Sequence, residues 1–225
     1  DFMSPWPASA FKLMVATHFL TLLDKGQTAD GQPLALSTLI PLPTQNLMEL
    51  CPEGERTLTL YQALETMLGW SGNCATAALV RFLHAHGEMV QSPQMDAQGF
   101  PTAAPLRSGI NQTLAALGLF TLQMNRTIAR TGRWGNPADN YATETASVAN
   151  NHMTSWDAAR LLWLFAELPK DTLPRWAVAP GRRVDLDFVS PRQKALMREL
   201  LTDSYSGSGL VNNRLCVPES TAEFR

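Results

Sequence analysis

The segment from Lys12 to Gly26, KLMVATHFLTLLDKG, is apolar nearly all round between Leu13 and Leu23. A helix with that pattern has no solvent face, so the chain must enclose it within a larger body. Gly26 supplies the usual stop one position past the helix end. Just before the run stands Pro7-Ala8-Ser9-Ala10-Phe11-Lys12. Ser9 and Lys12, three residues apart, fall on one helix face. The serine hydroxyl lies at a helix N-terminus, where free N–H groups and the dipole favour developing negative charge. Lys12 lies one turn further in, where burial disfavours the ammonium and leaves an amine able to take the serine proton. By itself S-x-x-K is a weak motif, because serine commonly caps helices and lysine commonly snorkels to water. Its place on an enclosed helix, where a lysine has few routes to solvent, turns the reading toward chemistry.

Composition closes off several other classes. The 225 residues, 45% hydrophobic and 17% charged, suffice for one large domain or two small ones. A net charge of −2, a pI near 6.1 and no basic run leave no electrostatic footprint for nucleic acid. No apolar stretch reaches transmembrane length. The sequence starts at Asp1 with no charged-then-apolar leader, so an export signal is expected to have been removed or left out. Cys51, Cys74 and Cys216 show no C-x-x-C spacing; a Cys51–Cys216 disulfide and free thiols are both open readings. His84 and His86 point to different helix faces and have no supporting carboxylate, so they read as a solvated helix end. His18 reads as a satisfied core or cleft histidine. No metal and no cofactor are expected.

Along the chain, residues 27–56 read as loop with at most short strands. A second helix is expected from residues 57–59, with Thr59 and Gln62 as capping box and Leu60, Leu64, Met67 and Leu68 as apolar face. A turn through Gly69-Trp70-Ser71-Gly72-Asn73 leads to a third helix, from Cys74 to about His86 and closed by Gly87. Residues 88–110 read as an excursion loop, Asn111 as the cap of a short helix to Leu119, and residues 125–150 as a long irregular loop. Thr154 with Asp157 starts a helix to about Leu168, and Ser190-Pro191 starts the last, to about Leu201. The tail reads as loop, and the whole as mostly helical.

Ser71-Gly72-Asn73 would be ordinary turn punctuation in isolation. Together with Ser9 and Lys12 it resembles the superfamily of penicillin-binding proteins and class A β-lactamases, which carry S-x-x-K, S-D-N and K-T-G. The interval from Ser9 to Ser71 suits that family. So do LTLYQALETMLGWSGNCATAALVRFL over residues 58–83 and TSWDAARLL over residues 154–162, the latter similar to the segment after the family's Ω-loop. The resemblance covers most of residues 7–168. It implies an α+β fold of the β-lactamase/transpeptidase type and a bacterial periplasmic or secreted protein. It also implies a serine hydrolase acting on a small-molecule or peptide amide, a β-lactam or a D-Ala-D-Ala-type peptide. By the same resemblance Ser9 is the acylated nucleophile and Lys12 its base or proton relay. Ser71 passes a proton to the leaving nitrogen, and Asn73 bonds Lys12 and the substrate amide. Part of the oxyanion hole comes from the Ser9 N–H. Trp70 and Asn136 are expected to line the substrate cleft.

Three departures refine the expectation. Gly72 replaces the central Asp of S-D-N, chiefly a structural position. The Ω-loop segment reads Arg133-Trp134-Gly135-Asn136-Pro137, with Gly135 or Asn136 where class A enzymes place the Glu that activates the deacylating water. Neither accepts a proton at neutral pH, so slow deacylation is expected, with Glu144 as a displaced base if one exists. No K-T-G or K-S-G occurs, and only eight residues precede Ser9. Residues 1–225 are therefore expected to be a single domain, mainly the helical part of such a fold. The flanking strands would be largely missing, the protein longer, and the chain alone inactive. A β-lactamase with a displaced base and a non-catalytic binding module are the rival readings.

Overall fold

Enclosure of the first apolar run organises everything around it. In the computed structural model, which describes residues 8–42, 56–94, 103–125, 129–130, 133–134, 151–166 and 175–202, that run is helix α1 (Lys12–Lys25). Every side chain from Lys12 to Leu20 is buried, and Gly26 ends the helix in the left-handed conformation with its N–H donated to the Leu22 carbonyl. Ser9 lies one step outside α1, in a 3-10 turn (Ala8–Phe11) that leads into it. It is not an α-helical cap, because the residue preceding α1 is Phe11 and no side chain caps there.

The layers around α1 follow from local rules. Strand β1 (Leu39–Pro41) pairs antiparallel with β2 (Thr57–Thr59), and helix α2 (Leu60–Gly69) starts immediately afterwards. Residues 57–59 are thus strand rather than the first helical turn, while the Thr59–Gln62 capping box forms as its spacing predicts. Leu60, Ala63, Leu64, Met67 and Leu68 form the buried face of α2. Helix α3 (Asn73–Ala85) contributes Ala75, Ala78, Leu79, Val80 and Leu83 to the same core, and Gly87 follows it with φ 69°. Each fully buried leucine contributes about 1.5–3 kcal/mol, which offsets the ordering of these short elements.

The interval read as an excursion loop contains a second antiparallel pair, β3 (Met89–Val90) with β4 (Arg107–Ser108). Helix α4 (Gly109–Ala116) begins two residues earlier than Asn111 because Ser108 caps it, accepting from the Asn111 N–H at 3.2 Å. Strands β5 (Ala129–Arg130) and β6 (Arg133–Trp134) form a third pair. Helix α5 (Ser155–Phe165) opens on Thr154, whose hydroxyl accepts from the Asp157 N–H. A fourth pair, β7 (Ala177–Ala179) with β8 (Arg182–Arg183), precedes helix α6 (Pro191–Thr202). Asp24 near the end of α1 accepts from both the N–H (2.5 Å) and the hydroxyl (2.7 Å) of Ser190, fixing the start of α6 against α1. The described residues are therefore a mixed α/β arrangement of helices and short antiparallel strand pairs. Among them no helix is long and apolar enough to cross a membrane.

The chain on either side of residues 126–150 is held together. Gln123 and His152 exchange backbone hydrogen bonds, and the Asn125 N–H donates to Asn151 Oδ1 at 2.9 Å. Asn111, read from sequence as a helix cap, works here instead. It donates to Asn125 Oδ1 at 2.7 Å and accepts from the Met124 N–H at 2.7 Å.

Candidate active site

Lys12, on the first turn of α1, has no exposed surface. Burial pulls its ammonium down from the usual 10.5 to about 8. Around Nζ stand the Ser71 carbonyl at 2.6 Å, Ser71 Oγ at 2.8 Å, Asn73 Oδ1 at 2.8 Å and Ser9 Oγ at 3.3 Å. Ser71 Oγ also lies 2.9 Å from Ser9 Oγ. Four residues from two segments some sixty positions apart thus form one hydrogen-bonded cluster.

The chemistry of the acceptors sets what this cluster does. The Ser71 carbonyl and Asn73 Oδ1 accept only, so they hold two N–H bonds of Lys12 in either protonation state. In the ammonium form the third proton points at the hydroxyls, and the chain runs from Lys12 to Ser71 to Ser9. Loss of that proton leaves a lone pair in the same direction. The hydroxyls then reverse, Ser9 donating to Ser71 and Ser71 to Lys12. The two-step path, at 2.9 and 2.8 Å, is shorter at each link than the direct Ser9–Lys12 contact at 3.3 Å.

The turn carrying Ser71 is built for this. Ser71 has φ 54°, the left-handed region that a β-carbon makes costly by about 1–3 kcal/mol. In that conformation both its carbonyl and its hydroxyl reach Lys12. The Thr66 carbonyl, on the last turn of α2, accepts from Gly72 N at 2.9 Å and Trp70 N at 3.3 Å. A Cβ on residue 72 would lie 2.7 Å from Thr66 Cγ2 and 2.9 Å from Thr66 O, so the turn admits only glycine there as it stands. Glycine at position 72 therefore has a local cause. Thr76 closes the other side, its hydroxyl donating to the Gly72 carbonyl at 2.7 Å. Asn73 is the first residue of α3, and its neighbour Cys74 is disulfide-bonded. With three cysteines in the chain, that bond excludes a Cys51–Cys216 bridge.

The remaining candidates fall as follows. Trp70, 45% exposed, immediately precedes Ser71. Asn136 and Glu144, with Gly135 and Pro137, lie outside the described residues; of Arg133 and Trp134 only the strand β6 is described. His84 is not the solvated residue its position suggests. Its Nε2 is buried without a partner, and burial keeps the ring below the ordinary imidazole range. His86 Nδ1 meets Asp30 Oδ2 at 2.8 Å, and its ring packs on Phe82. His18 is buried with both ring nitrogens bonded, to Thr113 and Glu88. Sequence reasoning gave no sign of Glu88 or Thr113, nor of the Ser71 carbonyl as a ligand of Lys12. The glycine at position 72 was the one available hint of the Thr66 contact.

No protein-family model matches the chain, and no curated protein matches it either.

Proposed function

We propose that this chain is a serine hydrolase of the β-lactamase/penicillin-binding type, forming a covalent acyl-enzyme on Ser9. One observation carries the reading: the Ser9–Ser71–Lys12 chain of contacts, closed on a buried lysine whose proton is weakly held. In the proposed step the Ser9 O–H bond breaks and its proton passes to Ser71, while the proton of Ser71 moves to Lys12. Ser9 Oγ bonds the carbonyl carbon of a β-lactam or D-Ala-D-Ala-type amide. As the C–N bond breaks, Ser71 protonates the leaving nitrogen and recovers a proton from Lys12, which returns to the neutral amine. Asn73 holds the amine in register, and Trp70 offers a face for the substrate side chain. The Ser9 N–H, in the first turn of its helix, has no intrahelical acceptor and is available to an oxyanion.

Release is proposed to be slow, because Gly135 and Asn136 provide no carboxylate to activate water. The test is intact-mass analysis after incubation with penicillin. The expected result is one persistent adduct on Ser9, absent in Ser9→Ala. No adduct would speak for a binding module, and rapid nitrocefin turnover for a β-lactamase with a displaced base such as Glu144.

A further inference from the structure

The half of α1 distal to Ser9 borders a cavity of 540 Å³, a size suited to a small organic ligand. Neither Ser9, Lys12, Ser71 nor Asn73 lines it. From Lys12 to Lys25 the helix rises roughly 20 Å, so the cavity mouth is well removed from the cluster.

Its floor is polar and buried. His18 is 2% exposed and Glu88 4%; His18 Nε2 lies 3.2 Å from Glu88 Oε2, and His18 Nδ1 lies 2.9 Å from Thr113 Oγ1. Burial opposes ionisation of Glu88, but the bond from His18, the Ala29 backbone N–H and the Arg107 charge outweigh it, and the carboxyl stays below its ordinary range. Gly109, the first residue of α4, lies directly against this pair. A Cβ there would come within 2.6 Å of both His18 Nε2 and Glu88 Oε2. The floor therefore depends on a residue with no side chain.

The rim has the opposite balance. Lys25 and Arg107 both line the cavity and are exposed, and among the described residues neither side chain makes a salt bridge or a hydrogen bond. Glu88, the one carboxylate lining it, is already engaged by His18. Two cations, Lys25 and Arg107, against the single carboxylate of Glu88, on which the Arg107 charge already acts, leave the lining net positive. Leu22, Leu117 and Phe188 supply an apolar wall. We propose that this cavity is a second ligand site, separate from Ser9, which binds a small organic carboxylate through Lys25 and Arg107 and packs its apolar body against Leu22, Leu117 and Phe188.

The test is calorimetric titration of the full chain with phenylacetate and hexanoate, against 2-phenylethanol and 2-phenylethylammonium. Both anions are expected to bind at least about tenfold more tightly than the alcohol, a difference of about 1.4 kcal/mol, and the ammonium not at all. Lys25→Gln and Arg107→Gln, each at an exposed side chain, are expected to weaken the anions several-fold singly and to abolish the preference together. Ser9→Ala is expected to leave binding unchanged. The proposal is overturned if neither anion binds saturably, if alcohol and acid bind alike, if the double variant keeps the preference, or if Ser9→Ala removes binding.

Discussion

Lys12 can take a proton only as the neutral amine, and with its proton lost near pH 8 about one molecule in ten is in that form at pH 7. The acylation rate is therefore expected to rise close to tenfold per pH unit below 8 and to level off above it. Stopped-flow acylation by a chromogenic β-lactam measures this, and a flat profile from pH 6 to 9 would remove Lys12 as the base. Stability carries the same group with a definite sign. Lys12 binds its proton more weakly in the folded chain, about 8, than in the unfolded one, about 10.4, so between those values the unfolded state holds more protons. Burial of the ammonium costs about 3 kcal/mol at neutral pH, and this cost is relieved as pH rises from 8 toward 10.4. Lys12→Met leaves the Ser71 carbonyl and Asn73 Oδ1 without a donor, which offsets much of what removing the charge gains. The diagnostic is consequently the slope. Urea unfolding is expected to show wild-type stability rising over that window relative to Lys12→Met, and parallel curves would refute the assignment.

At the scale of elements, the α2–α3 turn stands on the contact between Gly72 and Thr66. Gly72→Ala forces a Cβ against a carbonyl oxygen that cannot swing aside, so residues 71–73 must shift, at a cost of about 1–3 kcal/mol. Acylation is expected to fall with it. Adding Thr66→Ser, which removes the Cγ2 contact but not the carbonyl one, is expected to recover part of the rate; full recovery or none would discredit the stated geometry. The same turn shows what was readable beforehand. The Thr59–Gln62 box, Gly26 and Gly87 are local signals, and the structure uses them as local signals. Ser9 with Lys12 was readable because three residues of helix bring them together, and Ser71 with Asn73 because a resemblance supplied the pairing that spacing cannot. Asn111 misled because its amide is committed to Met124 and Asn125 across the loop neck, a contact that leaves no periodicity, while Ser108 caps instead. The two- and three-residue strands are too short to show alternation. His18 and Glu88 meet across 70 positions through tertiary packing alone, which a single sequence does not encode legibly.

For the whole molecule, the Cys74 disulfide ties the residue after Asn73 to a second cysteine of the chain. Such a bond contributes about 2–4 kcal/mol, largely by restricting the unfolded chain. Reduction is expected to lower the unfolding free energy by about that amount and to slow acylation at Ser9, because Asn73 loses its covalent neighbour's anchor. Paired melts and adduct-formation rates with and without reductant check both, and unchanged values would show the bond to be dispensable. The neck formed by Gln123, Asn125, Asn151 and His152 has a different kind of consequence. Those contacts close the chain on either side of residues 126–150. Doubling the length of a closed loop costs only about 0.6 kcal/mol. On the acyl-enzyme reading proposed above, the sequence between the neck residues would set release, and the Ser9–Lys12–Ser71–Asn73 cluster would set capture. On that reading, selection would retune how long a captured molecule is held without disturbing how it is caught.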